Sequence, residues 1–379
     1  MKQVAGINRL LITLLVTVAP AWAQSSQPEK KAPSTYDKVW NAVTNWYDET
    51  ENPVVQRVLF TGRYHHDWAL VDADQGDHKE NNVRRLRFGP RITFFRDFLL
   101  HAEVEVNPQE REPLYMRLTD AYVQWSKTPA LFVTVGKHSA PFTQEGATSS
   151  RELLTIDRSN LANNIWFGQE YMPGVSVGGR KGVWTYRGSV YSAGAMNREY
   201  GEFNGGLFTM AVLGYDLSTT LGVREASVTG NYLYQQPDVN NTFTRRYGHI
   251  GSVNFRFEDG RFGARGDLST ALGYLAQRDV WAVMLMPYFN ATRKLQFVFR
   301  YTFLDSDGDN GVVLPTYENR VVRGAGDQYN ESYVGVNYYF YGHRLKLQSG
   351  VAFADMQDRA NDGGAYSGTS WVTGLRLGW

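Results

Sequence analysis

The chain has 379 residues, with 39 Lys+Arg against 38 Asp+Glu and a formal charge of +1. That balance excludes a generally basic nucleic-acid binder. There is no cysteine, which removes disulfide staples and thiol chemistry. The 23 Tyr, 20 Phe, 10 Trp and 37 Gly against only 13 Pro suit an exported β protein.

Residues 1–23 read as a secretory signal. Lys2 and Arg9 form its positive start, Leu10–Ala19 its apolar run and Ala21-Trp22-Ala23 its cleavage site. That run is too short to span a bilayer, and no later run approaches the ~20 residues a membrane helix needs. A chain that crosses a membrane without helices must do so as a closed barrel. Residues 24–52 form a separate segment, expected in the periplasm. In it Tyr36, Val39, Trp40, Val43, Trp46 and Tyr47 recur at helical spacing behind Ser34 or Thr35 as cap. This short amphipathic helix has two readings: packing against the barrel mouth, or an interfacial or oligomer contact.

Residues 53–379 alternate with period two. Residues 58–70 set Val58, Phe60, Tyr64, Trp68 and Leu70 against Thr61, Arg63, His65 and Asp67. Residues 83–95, 99–106 and 294–303 repeat the pattern. About sixteen strands result, an even number as bacterial single-chain barrels require. The breaks between them alternate in length. Tight ones fall at Arg96-Asp97, Thr128-Pro129, Glu258-Asp259-Gly260, Thr292-Arg293 and Gly342. Longer ones fall at 71–82, 107–114, 139–171, 196–205, 236–244, 305–329 and 355–368. Short turns on one rim and long loops on the other is the arrangement of bacterial outer-membrane barrels. The final alternating strand, 370–379, ends on Trp379, much as outer-membrane proteins end on an aromatic assembly signal. The fold expected is a transmembrane antiparallel β-barrel whose third long loop is folded into the lumen.

That third loop begins with GKHSAPFTQEGATSSRELLTIDR, residues 136–158. It loses the strand period and carries a helix-start pattern, with Ser149 or Ser150 as cap and Glu152 in the first turn. The segment resembles the phosphate-selective porin O and P family. The resemblance rests on Val135-Gly136-Lys137, Pro141-Phe142, Ala147-Thr148-Ser149-Ser150-Arg151 and Asp157-Arg158. Gly335-Val336-Asn337-Tyr338-Tyr339 followed by Leu345-Lys346-Leu347 adds to it. It implies a sixteen-stranded barrel, a homotrimer, set among outer-membrane lipid and passing small anions such as phosphate or related oxyanions. At the loop position matching Arg151 the best-known members carry Lys. Arg keeps the charge but presents a planar fork of donors.

An anion pore needs cations facing a water-filled lumen. With the apolar face toward lipid, period two places Arg57, Arg63, Arg85, Arg87, Arg91, Arg187, Arg256, Arg265 and Arg300 inside, with Glu103, Glu105, Asp120 and Asp267. Arg85, Arg87 and Arg91 stand ~7 Å apart per two residues on one strand face. They either form a ladder for anions or pair with Glu103 and Glu105 across a hairpin. Arg151 and Arg158 are the expected constriction residues. Their alternative is an ion pair with Glu145, Glu152 or Asp157. A weakly selective general porin stays open as a second reading, and an enzymatic or adhesive barrel as a third.

Enzyme signals are thin. Gly174-Val175-Ser176-Val177-Gly178 matches G-x-S-x-G but lies inside an alternating strand, where no nucleophile elbow forms. Asp305 to Gly311 resembles the start of a calcium loop, yet Asn310 and Thr316 stand where Gly and Glu are needed. No catalytic residue, cofactor or metal is expected.

Overall fold

The computed structural model describes residues 33–109, 112–165, 170–193, 206–241 and 244–379; the expected signal at 1–23 lies outside them. Sixteen antiparallel strands among these residues form the wall. In chain order they are β1 (Val55–Ala73), β2 (Gly76–Phe94), β3 (Phe98–Val106), β4 (Tyr115–Thr128), β5 (Leu131–Ser139), β6 (Tyr171–Lys181), β7 (Trp184–Ser192) and β8 (Leu207–Asp216). Then follow β9 (Glu225–Gln235), β10 (Tyr247–Asp259), β11 (Phe262–Gly273), β12 (Val280–Asn290), β13 (Leu295–Ser306), β14 (Gln328–Tyr341), β15 (Leu345–Gln357) and β16 (Tyr366–Gly378). Each pairs with its neighbours in sequence. β16 returns to β1 from Gly378↔Arg63 to Gly368↔Ala73, so the sheet closes on itself.

The alternation has an inverted sense compared with a soluble sheet. On β13, Phe297, Phe299 and Tyr301 are exposed, whereas Gln296, Arg300 and Thr302 are buried. Apolar exposure outside and polar burial inside is what a wall between lipid and an aqueous lumen requires.

Three local features depart from simple period two. The break expected at 71–82 is a two-residue turn, Asp74-Gln75, because β1 and β2 each run 19 residues. Its polar residues continue the ladder where both faces can meet water. The helix, α1 (Thr35–Thr44), is closed by a Ser34–Asp37 capping box. It stops short of Trp46 and Tyr47, since Asn45–Asp48 adds to the lower edge of β1, pairing Asp48 with Arg57. Trp40 Nε1 donates to the Gly378 carbonyl over 2.5 Å, and Trp46 stacks on Phe60 at 4.8 Å. Finally, β-bulges interrupt the β1–β2 register. One sets His65 opposite Arg85 but His66 opposite Val83, leaving Arg84 between.

Two glycines are required by close approach. A Cβ on Gly89 would lie 1.9 Å from the Ala102 carbonyl oxygen on β3. One on Gly136, where φ is +122°, would lie 2.4 Å from the Ala121 oxygen on β4. Both obstacles are backbone, so the strands must part to admit a side chain. Gly89→Val is expected to destabilise the barrel by about 1–3 kcal/mol or more, read as a lower urea midpoint in lipid vesicles.

Candidate functional site

The inward face gathers most of the buried charge, and the candidate arginines divide by partner. Arg63 Nη2 donates to Glu103 Oε1 at 2.9 Å and Nη1 to Ser150 Oγ at 2.9 Å. Arg87 Nε bonds Glu105 at 2.9 Å and Nη1 the Tyr171 hydroxyl at 2.9 Å, with Glu170 3.6 Å away. Arg300 bonds Glu331 at 2.9 Å, Thr155 Oγ1 at 3.0 Å and the Asp157 carbonyl at 2.9 Å. These three are held by acids, and buried charges need such partners. Arg57 is half-exposed at the lower end of β1 and pairs with Asp48 at 3.5 Å.

The others are freer. Arg85 is buried, yet its side chain makes no hydrogen bond or ion pair among the described residues. Arg91 is exposed. The Arg187 guanidinium lies 5.1 Å over the Phe132 ring. Among the described residues Arg256 donates only to Thr148 Oγ1, at 2.9 Å. Arg265 lines a 620 Å³ cavity at the short-turn end together with Arg224, Arg261, Arg293 and Glu258.

Loop 3 (residues 140–170) holds a short helix, α2 (Asn160–Ile165). No helix begins at Ser149 or Ser150; a single turn forms there, closed by Glu152 N–H to the Ser149 carbonyl. The wall competes for the backbone that a helix would use. Lys346 Nζ takes the Leu153 carbonyl at 2.6 Å, Asn337 takes that of Leu154 at 2.8 Å and Arg376 that of Ile156 at 3.1 Å. Phe142, Leu153, Leu154, Ile156, Leu161 and Ile165 of the loop are buried. Arg158 binds Glu170 at 2.7 Å, the Glu145 carbonyl at 2.9 Å and the Thr148 carbonyl at 3.1 Å. It ties the loop to its own root, through a different acid from those expected. Arg151 reaches the Trp379 carbonyl at 3.3 Å, with Glu103 3.7 Å from its Nη2. Burial and the nearby Arg63 guanidinium push Arg151 down to about 10, so it stays cationic at neutral pH. Burial raises Glu170, but Arg158, Arg87 and Arg85 together hold it well below the usual carboxylate range.

A 400 Å³ cavity separates the other flank of the loop from the opposite wall. Pro141, Gln144 and Ala147 line one side; Thr229, Asn254 and Arg256 are among the residues on the other.

Several contributors escaped the sequence reading. Lys346 and Arg376 lie on the polar face of the last hairpin, and the same period-two test finds them. Arg84 does not obey it. The bulge turns Arg84 inward, where it meets Asp157 of loop 3 and Thr316 of the loop between β13 and β14, each at 3.4 Å. In the calcium-like loop, Asp307 accepts from the Asp279 N–H at 3.0 Å, while Asn310 donates its backbone N–H to Asp327 at 2.9 Å.

Residues 58–283, more than half of the chain, match the sequence profile of a family described as phosphate-selective porin O and P. The chain belongs to that family. It is therefore a porin of the bacterial outer membrane. The matched span holds the loop-3 features and stops before the late hairpin at 335–347. No curated protein sequence gives a match. Among solved structures, the anion-selective porin from Comamonas acidovorans is 14% identical with a TM-score of 0.60, covering 85% of this chain and 99% of its own. The outer-membrane channel DcaP of Acinetobacter baumannii is 14% identical, with a TM-score of 0.56 and coverage of 85% and 97%. The trimer form of OmpT, an outer-membrane protein of Vibrio cholerae, is 13% identical, with a TM-score of 0.51 and coverage of 85% and 99%. At such identities the likeness is one of fold.

The pairing pattern has a measurable consequence for this porin. Arg300→Ala strands two buried acids, Glu331 and Glu145, and is expected to cost about 3–5 kcal/mol. Arg57→Ala breaks only a half-exposed pair and should leave stability nearly unchanged. Urea unfolding in vesicles compares the two.

Proposed function

We propose that this porin passes small anions, phosphate or related oxyanions among them, through a lumen that loop 3 narrows. The observation carrying this reading is the 620 Å³ cavity, where Arg224, Arg261, Arg265 and Arg293 face a single acid, Glu258. A surplus of cations on a water-filled wall attracts anions and repels cations. Guanidinium forks suit oxyanions, which they can bind bidentately.

Loop 3 supports the narrowing. Most of its bonds reach β1, β2, β11 and β13 to β16, and on the side of β7 to β10, where Arg256 makes a bond to it, the 400 Å³ cavity stays open. Arg256 stands on that side. Arg151 is the loop's partly exposed cation, whereas Arg158 acts as a fastener. Anion selectivity in the Comamonas porin and the trimer form of the Vibrio protein are consistent with an anion-selective trimer here. In the same reading residues 1–23 direct export, and 24–52 stay at the periplasmic rim.

A weakly selective general porin is the second reading. The glutamate-bound state of Arg63, Arg87 and Arg300 favours it, since braced arginines give no anion a seat.

Planar-bilayer reversal potentials in a salt gradient separate the two. Anion preference is expected, and cation selectivity or none would overturn the proposal. A unit charge acts with about 1 kcal/mol at 4 Å in water, so Arg256→Gln should lower the anion-to-cation permeability ratio up to roughly fivefold. Arg151→Ala should alter conductance and phosphate block; if neither changes, Arg151 does not line the constriction.

A further inference from the structure

The other buried acids among the described residues bond to arginines, hydroxyls or backbone N–H groups, but Asp120 stands apart. It is 8% exposed, and its carboxylate makes no hydrogen bond or ion pair among the described residues. It lies on β4 directly opposite Glu103 on β3, which is fully buried. His101, two residues earlier on β3, shares that face. Its Nε2 is buried with no hydrogen-bond partner and sits 4.0 Å from Glu103 Oε2. One ligand atom from each of the three residues lies within 4.8 Å of the other two. Two carboxylates facing each other in a wall of low dielectric repel unless a cation or a proton lies between them. Arg63 and Arg151 both attend to Glu103, at 2.9 and 3.7 Å, and neither bonds Asp120.

We infer that His101, Glu103 and Asp120 form a binding site for a divalent first-row transition metal. One imidazole and two carboxylates suit such ions better than calcium, which takes oxygen ligands alone. Arg63 bonds Glu103 most closely at Oε1 and so orients it from outside, which is the support a ligating carboxylate usually has. Oε2, which Arg63 Nη2 holds only at 3.3 Å, is the oxygen nearer His101 and the one offered to the ion. Three protein ligands leave further coordination positions for water or a permeant anion. Arg151 and the ion compete for the same oxygen. Metal binding thereby displaces a loop-3 cation from the wall and adds two positive charges beside it.

No sequence motif announces this site. The ligands come from two strands, and only the β3–β4 register brings Asp120 to Glu103.

The test is Zn²⁺ binding to the purified barrel in detergent, by equilibrium dialysis. It is readable whether or not the pore prefers anions. The wild-type chain is expected to bind one Zn²⁺ that His101→Ala and Asp120→Asn each weaken at least about tenfold. His78→Ala, which removes the partly buried His78–Glu80 pair on β2, should leave binding unchanged. Heat-modifiable gel mobility establishes that each variant is folded. In bilayers, Zn²⁺ should shift the wild-type reversal potential saturably and leave both site variants unaffected. Binding unaltered in His101→Ala, or lost in His78→Ala instead, overturns the inference. So does a wild-type pore whose selectivity follows pH and ignores Zn²⁺, since Asp120 would then hold only a proton.

Discussion

Everything in this porin depends on satisfying backbone hydrogen bonds where there is no water. In the hydrocarbon of a bilayer an unpaired N–H or carbonyl costs several kcal/mol, so a spanning sheet must close on itself. The β16–β1 pairing makes that closure, and α1 with its short following strand secures the seam from below. Once the ring is closed, each strand has one face toward lipid and one toward the interior. The polar half of every strand has nowhere to go but inward.

That crowding creates the second problem. Charges brought into a confined interior must be solvated by water, by one another or by the backbone. On the side of β1, β2 and β11 to β16, loop 3 supplies much of the answer. Its carbonyls accept from Lys346, Arg376 and Arg300, and its acids receive Arg84, Arg158 and Arg300. On the side of β7 to β10 the wall offers mainly hydroxyls and amides, with Arg256 beside the cavity. The interior is thus divided between a bonded half and an open half. Braces and candidate ion sites are made of the same residue type and differ only in what each guanidinium touches.

The low identity to other porins of like fold follows from the same physics. A barrel strand asks for apolar residues outward, polar ones inward and a turn at each end, and many sequences satisfy this. Stricter demands arise where backbones nearly touch, as at Gly89 and Gly136, or where a buried ion must find its counter-ion.

The barrel was legible in the sequence because a period of two is a local property. Each strand announced its lipid face, and the alternation of short and long breaks announced the two rims. Period two also placed Arg63, Arg87 and Arg300 on the inward face, and it would have placed Lys346 and Arg376 there too. What each charge does was not legible. Arg85 and Arg87 share one face of β2, yet Arg87 has Glu105 within reach and Arg85 has no partner among the described residues; β3 and loop 3 decide that. Arg84 escaped because a bulge reverses the parity of a single residue. The turn at Ser149 failed to become a helix because wall side chains from β14 to β16 took its carbonyls. The sequence by itself determined the architecture, since alternation and chain closure depend on near neighbours and on the membrane. Only the tertiary structure decided the chemistry of the interior, because a buried charge takes its role from the partner that distant strands bring to it.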